Sequence, residues 1–259
     1  MVLPRWFPGL TGVVLILAAW TVLALTVFRH NGAVPTPLAV LRQYGTDGFA
    51  FYWHNMSVTL GGALLGFLWG NGFAIALALL VMVLPKLEGV AEEIAVISYC
   101  IPLTAIGPVI LVVQGGRAPT IFLAGMSVFF TTLVGALLGL KAADRTSLDL
   151  VRAYGGGRVK QITKVRLIAA LPATFAALRI AAPTALLGAI LGEYLGGVDN
   201  GIGVALTASQ QAYLVPRTWG LALACGLVAA AGYLLIGLIG RLVAPWSAGS
   251  AALANGGRQ

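Results

Sequence analysis

Acidic side chains are scarce: eight Asp and Glu stand among 259 residues, beside two histidines and two cysteines. Metal centres and nucleophile–base pairs need several such groups in one place, so the shortage argues against a metalloprotein and against a membrane-embedded transferase. His30 and His54 fall between the first two apolar runs, read as an external loop, with no acidic cluster beside them. Cys100 and Cys225 lie inside apolar runs with no partner at metal-ligand spacing, and read as buried packing residues. A Gly-x-x-x-x-Gly-Lys-Ser/Thr phosphate loop is also missing from the sequence.

Charge of either sign is thin. Charged residues make up 9% of the chain and hydrophobic ones 59%, where a soluble domain is roughly a quarter charged. Sixteen basic and eight acidic residues cannot clothe a soluble domain of this size, so most of the surface faces lipid. The net charge of +8 would suit nucleic acid only if the basic residues formed a stripe. They sit between apolar runs instead, the positive-inside arrangement of a membrane protein.

What is abundant is apolar sequence in runs long enough to cross a bilayer, which takes about 20 residues. Six stand out: Leu10 to Phe28, Thr59 to Leu84, Ala91 to Val113, Ala118 to Leu140, Thr174 to Leu195 and Trp219 to Val243. The fold class is therefore all-α, a membrane protein of about six transmembrane helices. Glu92, Glu93, Pro102 and Pro108 interrupt the third run, which predicts a broken or kinked helix. The first run follows Arg5 like a signal peptide, but no small-residue cleavage site ends it and Arg29 and His30 follow directly, so it reads as a retained span. With the amino terminus inside, twelve basic residues fall on the cytoplasmic side and Arg29, Arg42, Arg117 and Arg217 outside, so both termini are expected to be cytoplasmic. Residues 1–9 would be a cytoplasmic amino terminus, 10–243 one transmembrane domain, and 244–259 a disordered cytoplasmic tail.

One connection differs from the rest. From Lys141 to Pro172 the chain is long, basic and patterned. Leu148, Val151 and Tyr154 recur every third residue, an apolar stripe on a short helix that carries Asp149 and Arg152 on its other side. Gly155, Gly156 and Gly157 should end that helix in a sharp turn. A second amphipathic stretch sets Val159, Ile162 and Val165 against Lys160 and Lys164, and Pro172 marks the return to the membrane. Such a loop suits a surface helix in the headgroup region and a mechanical docking site equally well.

At this loop the chain resembles the permeases of ABC importers for sulfonates, taurine, nitrate and thiamine precursors. Gly155 matches the glycine of their cytoplasmic coupling loop, and Leu171 with Pro172 its closing pair. The family's Glu-Ala-Ala triplet falls on Asp149, Leu150 and Val151, where only the acidic character is kept, and Ile168 replaces an earlier proline. Also similar are VPTPLAVL, HNMSVTLGGALLGF, IPLTAIGPVILVVQGG, LRIAAPTALLGAILGEYLGG and NGIGVAL, in the family's order across roughly residues 34 to 206.

The resemblance implies a type I importer permease (MetI-like) fold in a bacterial-type inner membrane, with no cofactor in this chain. Its partners would be ATPase subunits holding ATP and Mg, a second permease subunit, the same or a related chain, and an extracytoplasmic solute-binding protein. The coupling loop would use Asp149, Leu150, Val151, Arg152, Ala153, Tyr154, Gly155, Gly156, Gly157, Leu171 and Pro172.

Glu193 is the one acid in or at the end of a strong apolar span, where a carboxylate needs a partner or a wet cavity. It is read either as part of the pathway or gate, or as an interface residue pairing with a loop arginine such as Arg217. Pro102, Pro108 and Gln114 in the irregular third run are further pathway candidates. Gly62, Gly66 and Gly70, and again Gly188, Gly192 and Gly196, recur every fourth residue, as faces where helix backbones approach closely within one subunit or between two. The alternative of an ATP-independent transporter or channel would call for intramembrane charges in several spans or a repeat between halves.

Overall fold

A computed structural model describes residues 7–30 and 32–246. Among the described residues every regular element is helical: α1 (Phe7–Leu25), α2 (Pro37–Val83), α3 (Glu88–Cys100), α4 (Leu103–Gln114), α5 (Ala118–Lys141), α6 (Arg145–Ala153), α7 (Arg158–Gln161), α8 (Leu167–Tyr194), α9 (Ile202–Gln211) and α10 (Val215–Val243). Four are long and apolar enough to cross a membrane: α2, α5, α8 and α10. The α3–α4 pair supplies a fifth crossing, and the apolar Thr11–Leu25 stretch of α1 is shorter than these.

The fifth crossing follows from how the others run. Gly62 of α2 faces Thr120 of α5, Asn71 bonds Thr132, and Val81 packs with Leu137, so α2 and α5 are parallel. The chain must therefore return across the membrane between them. It does so in two arms of 13 and 12 residues that meet at 88°. At about 1.5 Å per residue neither arm alone covers the hydrocarbon core. The first arm starts where Glu88 meets Lys141 at 2.5 Å. The second ends beside Val58, whose carbonyl accepts from Arg117 at 2.7 Å. The bend falls where Ile101 is extended and Pro102 precedes the first turn of α4, because proline pushes the residue before it out of the helical region.

Helix α5 is the spine, with α2 and α8 packed along it. Gly62, Gly66 and Gly70 lie against Thr120, Ala124 and Gly125, and Gly188 and Gly192 against Leu123 and Thr120. Gly135 meets Ala177, and Gly139 meets Ala170, so α8 runs antiparallel to α5. Lipid offers no hydrophobic force between helices, and small residues let dispersion and close backbone approach do the work. Thr132 donates to Asn71 Oδ1 at 2.5 Å, a fully enclosed link between α2 and α5. Gly66→Val should therefore lower the yield of monodisperse protein in detergent, since its β-carbon alone meets Ala124 and the Ile121 carbonyl and overpacking costs about 1–3 kcal/mol. Gly72→Val, with nothing within 4 Å, should behave as the parent.

Several sequence expectations need correction. Helix α2 begins at Pro37, not Thr59: Thr36 Oγ1 accepts from Ala39 N at 3.2 Å, and a break at Gly48 (φ 76°) divides the helix. His54 is thus helical rather than in a loop. Cys100 is exposed at the end of α3 and Cys225 half-buried; an apolar run says nothing of which face meets protein when lipid covers the other. Pro172 lies inside α8. The helix is continuous from Arg158 to Tyr194 through a π turn at Ile162–Arg166, so the second amphipathic stretch runs into the span without an interruption. Gly196 (φ 95°) lies past the end of α8, off the packing face of Gly188 and Gly192. In the second amphipathic stretch Val159 is exposed and Gln161 buried, the reverse of the expected apolar face. The carboxy-terminal tail beyond residue 246 and the first six residues lie outside the described residues.

Candidate functional site: a carboxylate latch and a detached helix

The two ends of the bundle are built differently. At the end where α8 finishes, Glu193 is 2% exposed and reaches the amino terminus of α9. Gly203 N donates to Glu193 Oε2 at 2.7 Å and Thr59 Oγ1 donates to the same oxygen at 3.0 Å. Ile202 N donates to Thr59 Oγ1 at 2.8 Å, and Gly201 N to Asn55 Oδ1 at 3.2 Å. Three otherwise orphaned N–H groups of the first turn of α9 are thereby satisfied by side chains of α2 and α8. The positive end of the α9 dipole also faces the carboxylate.

Glycine makes this approach possible. Gly201 sits at φ 146°, and a β-carbon there would collide with the Glu193 carboxylate. One at Gly203 would press on Glu193 Cβ and the Ile190 carbonyl. Glu193 Oε1 is buried without a hydrogen-bond partner. The latch is thus fastened through one carboxylate oxygen, and it joins α2, α8 and α9. Its partners are a backbone N–H and a threonine hydroxyl from two other helices, an arrangement that fastens helices together.

Arg217 does not pair with Glu193. Its guanidinium grips Asp47, whose side chain is 1% exposed, with Nε 3.0 Å from both carboxylate oxygens and Nη2 also in contact. Gln43 Nε2 and Tyr52 OH donate to the same carboxylate at 2.8 and 3.0 Å, and Tyr44 OH donates to Gly220 O at 2.5 Å. This cluster pins the first part of α2 to α10. Asp47, Thr59, Asn55, Gly201 and Gly203 were not singled out from the sequence. The alternating glycines of NGIGVAL were the available signal, since they leave room for a side chain from elsewhere.

The opposite end carries α6. Asp144 caps it, its carboxylate accepting from Ser147 N at 3.1 Å. At its other end Gly155 takes φ 72°, with Gly155 N donating to Arg152 O at 2.9 Å and Gly156 N to Val151 O at 2.8 Å, the paired bonds of a Schellman turn. A helix so firmly capped still buries none of its residues. Leu148 and Val151 are half-covered, while Leu150 is 59% and Tyr154 84% exposed. Among the described residues Asp149 and Arg152 form an ion pair only with each other, at 3.2 Å. Arg158 Nη2 donates to Val83 O at 2.8 Å, tying the start of α7 to the end of α2, and α7 runs on into α8. Leu171 and Pro172 are half-buried within α8.

The pathway candidates Pro102, Pro108 and Gln114 are all exposed, on the broken span. Among the described residues no three His, Cys, Asp or Glu side chains converge on a point.

Comparison with known proteins fits this arrangement. Residues 62–248 match the family of binding-protein-dependent transport system inner membrane components. The probable ABC transporter permease protein of Haemophilus influenzae is 34% identical over 187 residues, covering 71% of this chain and 76% of its own. The riboflavin transport system permease protein of Chloroflexus aurantiacus is 24% identical over 239 residues, 88% of this chain and 89% of its own. The formylaminopyrimidine transport permease protein of Halalkalibacterium halodurans is 23% identical over 218 residues, 82% and 85% of the two chains. Permeases of this kind work with an ATPase and a binding protein, and carry no catalytic site themselves. The chain belongs to the binding-protein-dependent inner membrane component family and is the multi-pass permease subunit of an ABC importer.

Proposed function

We propose that α6 and its glycine turn, residues 144–157, form the surface on which a separate ATPase rides, and that the Glu193 latch closes the opposite, external end of the bundle. The observation that carries the reading is a helix capped at both ends and yet buried nowhere, with Leu150 and Tyr154 turned outward. An apolar face that a protein holds rigid but does not bury is a docking surface. Lys86, Lys141, Arg145, Arg152, Arg158, Lys160, Lys164 and Arg166 gather at this end, which supports a cytoplasmic orientation with both termini inside.

In this reading ATP and Mg are held by the partner chain. Closure of its nucleotide sites moves α6, the motion passes through the Arg158–Val83 link to α2 and through the continuous α7–α8 helix to the latch. ATP then biases a two-state bundle by contacts that differ between the states. Residues 10–243 act as one permease domain, paired with a second copy or a related chain. The exposed, broken α3–α4 span, with Pro102, Pro108 and Gln114, lines the path between the two. The cargo is a small organic solute delivered by an external binding protein, in keeping with the riboflavin and formylaminopyrimidine transport named for two relatives.

The test uses the chain purified from its native membrane. The parent should bring an ATPase with it, and Tyr154→Ala should lose at least about tenfold of that subunit, the scale of a docking hot spot. Insertion and detergent behaviour should be unchanged, because Tyr154 touches little of its own bundle. Full retention of the ATPase by this variant would remove α6 from the interface.

A further inference from the structure

Helix α8 carries a second charge within the membrane, which neither the latch nor α6 uses. Arg179 lies near the middle of α8 (Leu167–Tyr194), with its guanidinium over the Tyr233 ring at 3.9 Å from the centroid. Its Nε is buried without a hydrogen-bond partner. Among the described residues neither Arg179 nor Arg241 forms an ion pair. A cation held within a span is costly unless it faces an anion or water.

The surroundings of Arg179 are shaped for something. Helix α10 presents glycines to it: a β-carbon at Gly237 would sit 2.9 Å from Arg179 Nε, and one at Gly240 would sit 3.1 Å from Phe175 Cβ. Arg179 and Phe175 thus close onto α10, and beside them lies a cavity of about 160 Å³ between α8 and α10, lined by Pro172, Phe175, Arg179 and Arg241 among others. Arg241 is exposed and lies one turn beyond Gly237, towards the α6 end of the bundle.

At Ile236 the cavity adjoins an apolar groove of about 220 Å³ between α2, α8 and α10, lined by residues such as Phe67, Ala182, Val228 and Leu235. The order along the groove is thus basic towards the α6 end and apolar towards the latch end. That is the order of headgroup and acyl chain in a phospholipid. A free anion would use the arginines but leave the apolar groove unexplained, and a packed protein helix would need no pair of unpaired cations.

We propose that the α8–α10 groove is a binding site for an anionic phospholipid, with its phosphate between Arg179 and Arg241 and one acyl chain in the apolar groove. Basic pockets between spans hold anionic headgroups in this way. The proposal rests on the chain spanning a membrane, and not on the docking role of α6 or the gating role of Glu193. A lipid seated here would brace α10 against α8, so the site also offers a means for membrane composition to tune the bundle.

The chain, purified in mild detergent with the subunits that accompany it, is exchanged into nanodiscs of phosphatidylcholine with and without phosphatidylglycerol. Phospholipid retained after a delipidating wash is measured by mass spectrometry. Phosphatidylglycerol should be retained in preference to phosphatidylcholine, and Arg179→Gln and Arg241→Gln should each lower its retention about fivefold, as expected for one basic side chain at an anionic headgroup. Arg179→Lys should keep most of it. Arg241 is exposed, so its variant folds and decides the matter even if Arg179→Gln does not. Equal retention of the two lipids by the parent, or unchanged retention by Arg241→Gln, would overturn the site. Displacement of the lipid by inorganic phosphate would also overturn it, marking a free-anion site instead.

Discussion

Replacing Glu193 by alanine should reduce uptake at least about tenfold while the chain still inserts, because one substitution unfastens three helices. Gly203 N loses its acceptor, Thr59 loses a partner, and the first turn of α9 faces a buried void. Each orphaned buried donor costs about 1–3 kcal/mol, enough to shift a closed–open equilibrium by an order of magnitude or more. Insertion is governed by the apolarity of α8, which alanine does not lower. Glu193→Gln separates charge from geometry: its amide oxygen can take the place of Oε2, and its NH2 falls where Oε1 has no partner. Uptake by the glutamine variant should lie between parent and alanine. Vesicle uptake with a saturating energy supply, normalised to inserted protein, measures all three. Parental uptake by Glu193→Ala would show that the latch is structural decoration.

Gly155→Val should abolish coupled uptake, whereas Gly155→Asn should leave it largely intact. Nothing lies within 4 Å of a β-carbon built at Gly155, so bulk is not at issue. The backbone is: at φ 72° a β-branched residue is strained, at about 1–2 kcal/mol, while asparagine visits this region readily. Valine would undo the Schellman bonds from Gly155 to Arg152 and Gly156 to Val151, and with them the angle between α6 and α7. The expected signature is ATP hydrolysis no longer stimulated by solute and binding protein, with the subunits still present. Equal loss in both variants would mean that the side chain at 155 meets the partner directly and the turn geometry is secondary.

Much of the fold was legible from local pattern. Crossings by α2, α5, α8 and α10 were visible as apolar runs, since composition over about 20 residues decides what a bilayer accepts. The helix ending in Gly155 was visible for the same reason: caps, period and glycine act within a few residues of each other. The broken third span was announced by Pro102. The early start of α2 was also written locally, in Thr36 and Pro37, but a cap carries no hydrophobic signal and the apolar run begins well after it.

The partners of Glu193 lie on α2 and α9, and the resting place of Arg179 lies against α10. Such contacts depend on which helices run parallel, which the sequence does not state residue by residue. Lipid removes the usual guide as well. With an apolar solvent outside and an apolar core inside, a run such as the one holding Cys225 shows no polar face to mark its outer side. By itself the sequence determined that the chain crosses a membrane, roughly where, and which loop stands apart, because insertion and capping are local energies. Only the tertiary structure decided that Glu193 latches α9 and that Arg217 belongs to Asp47, because each is a pairing between groups on different helices, far apart in the chain.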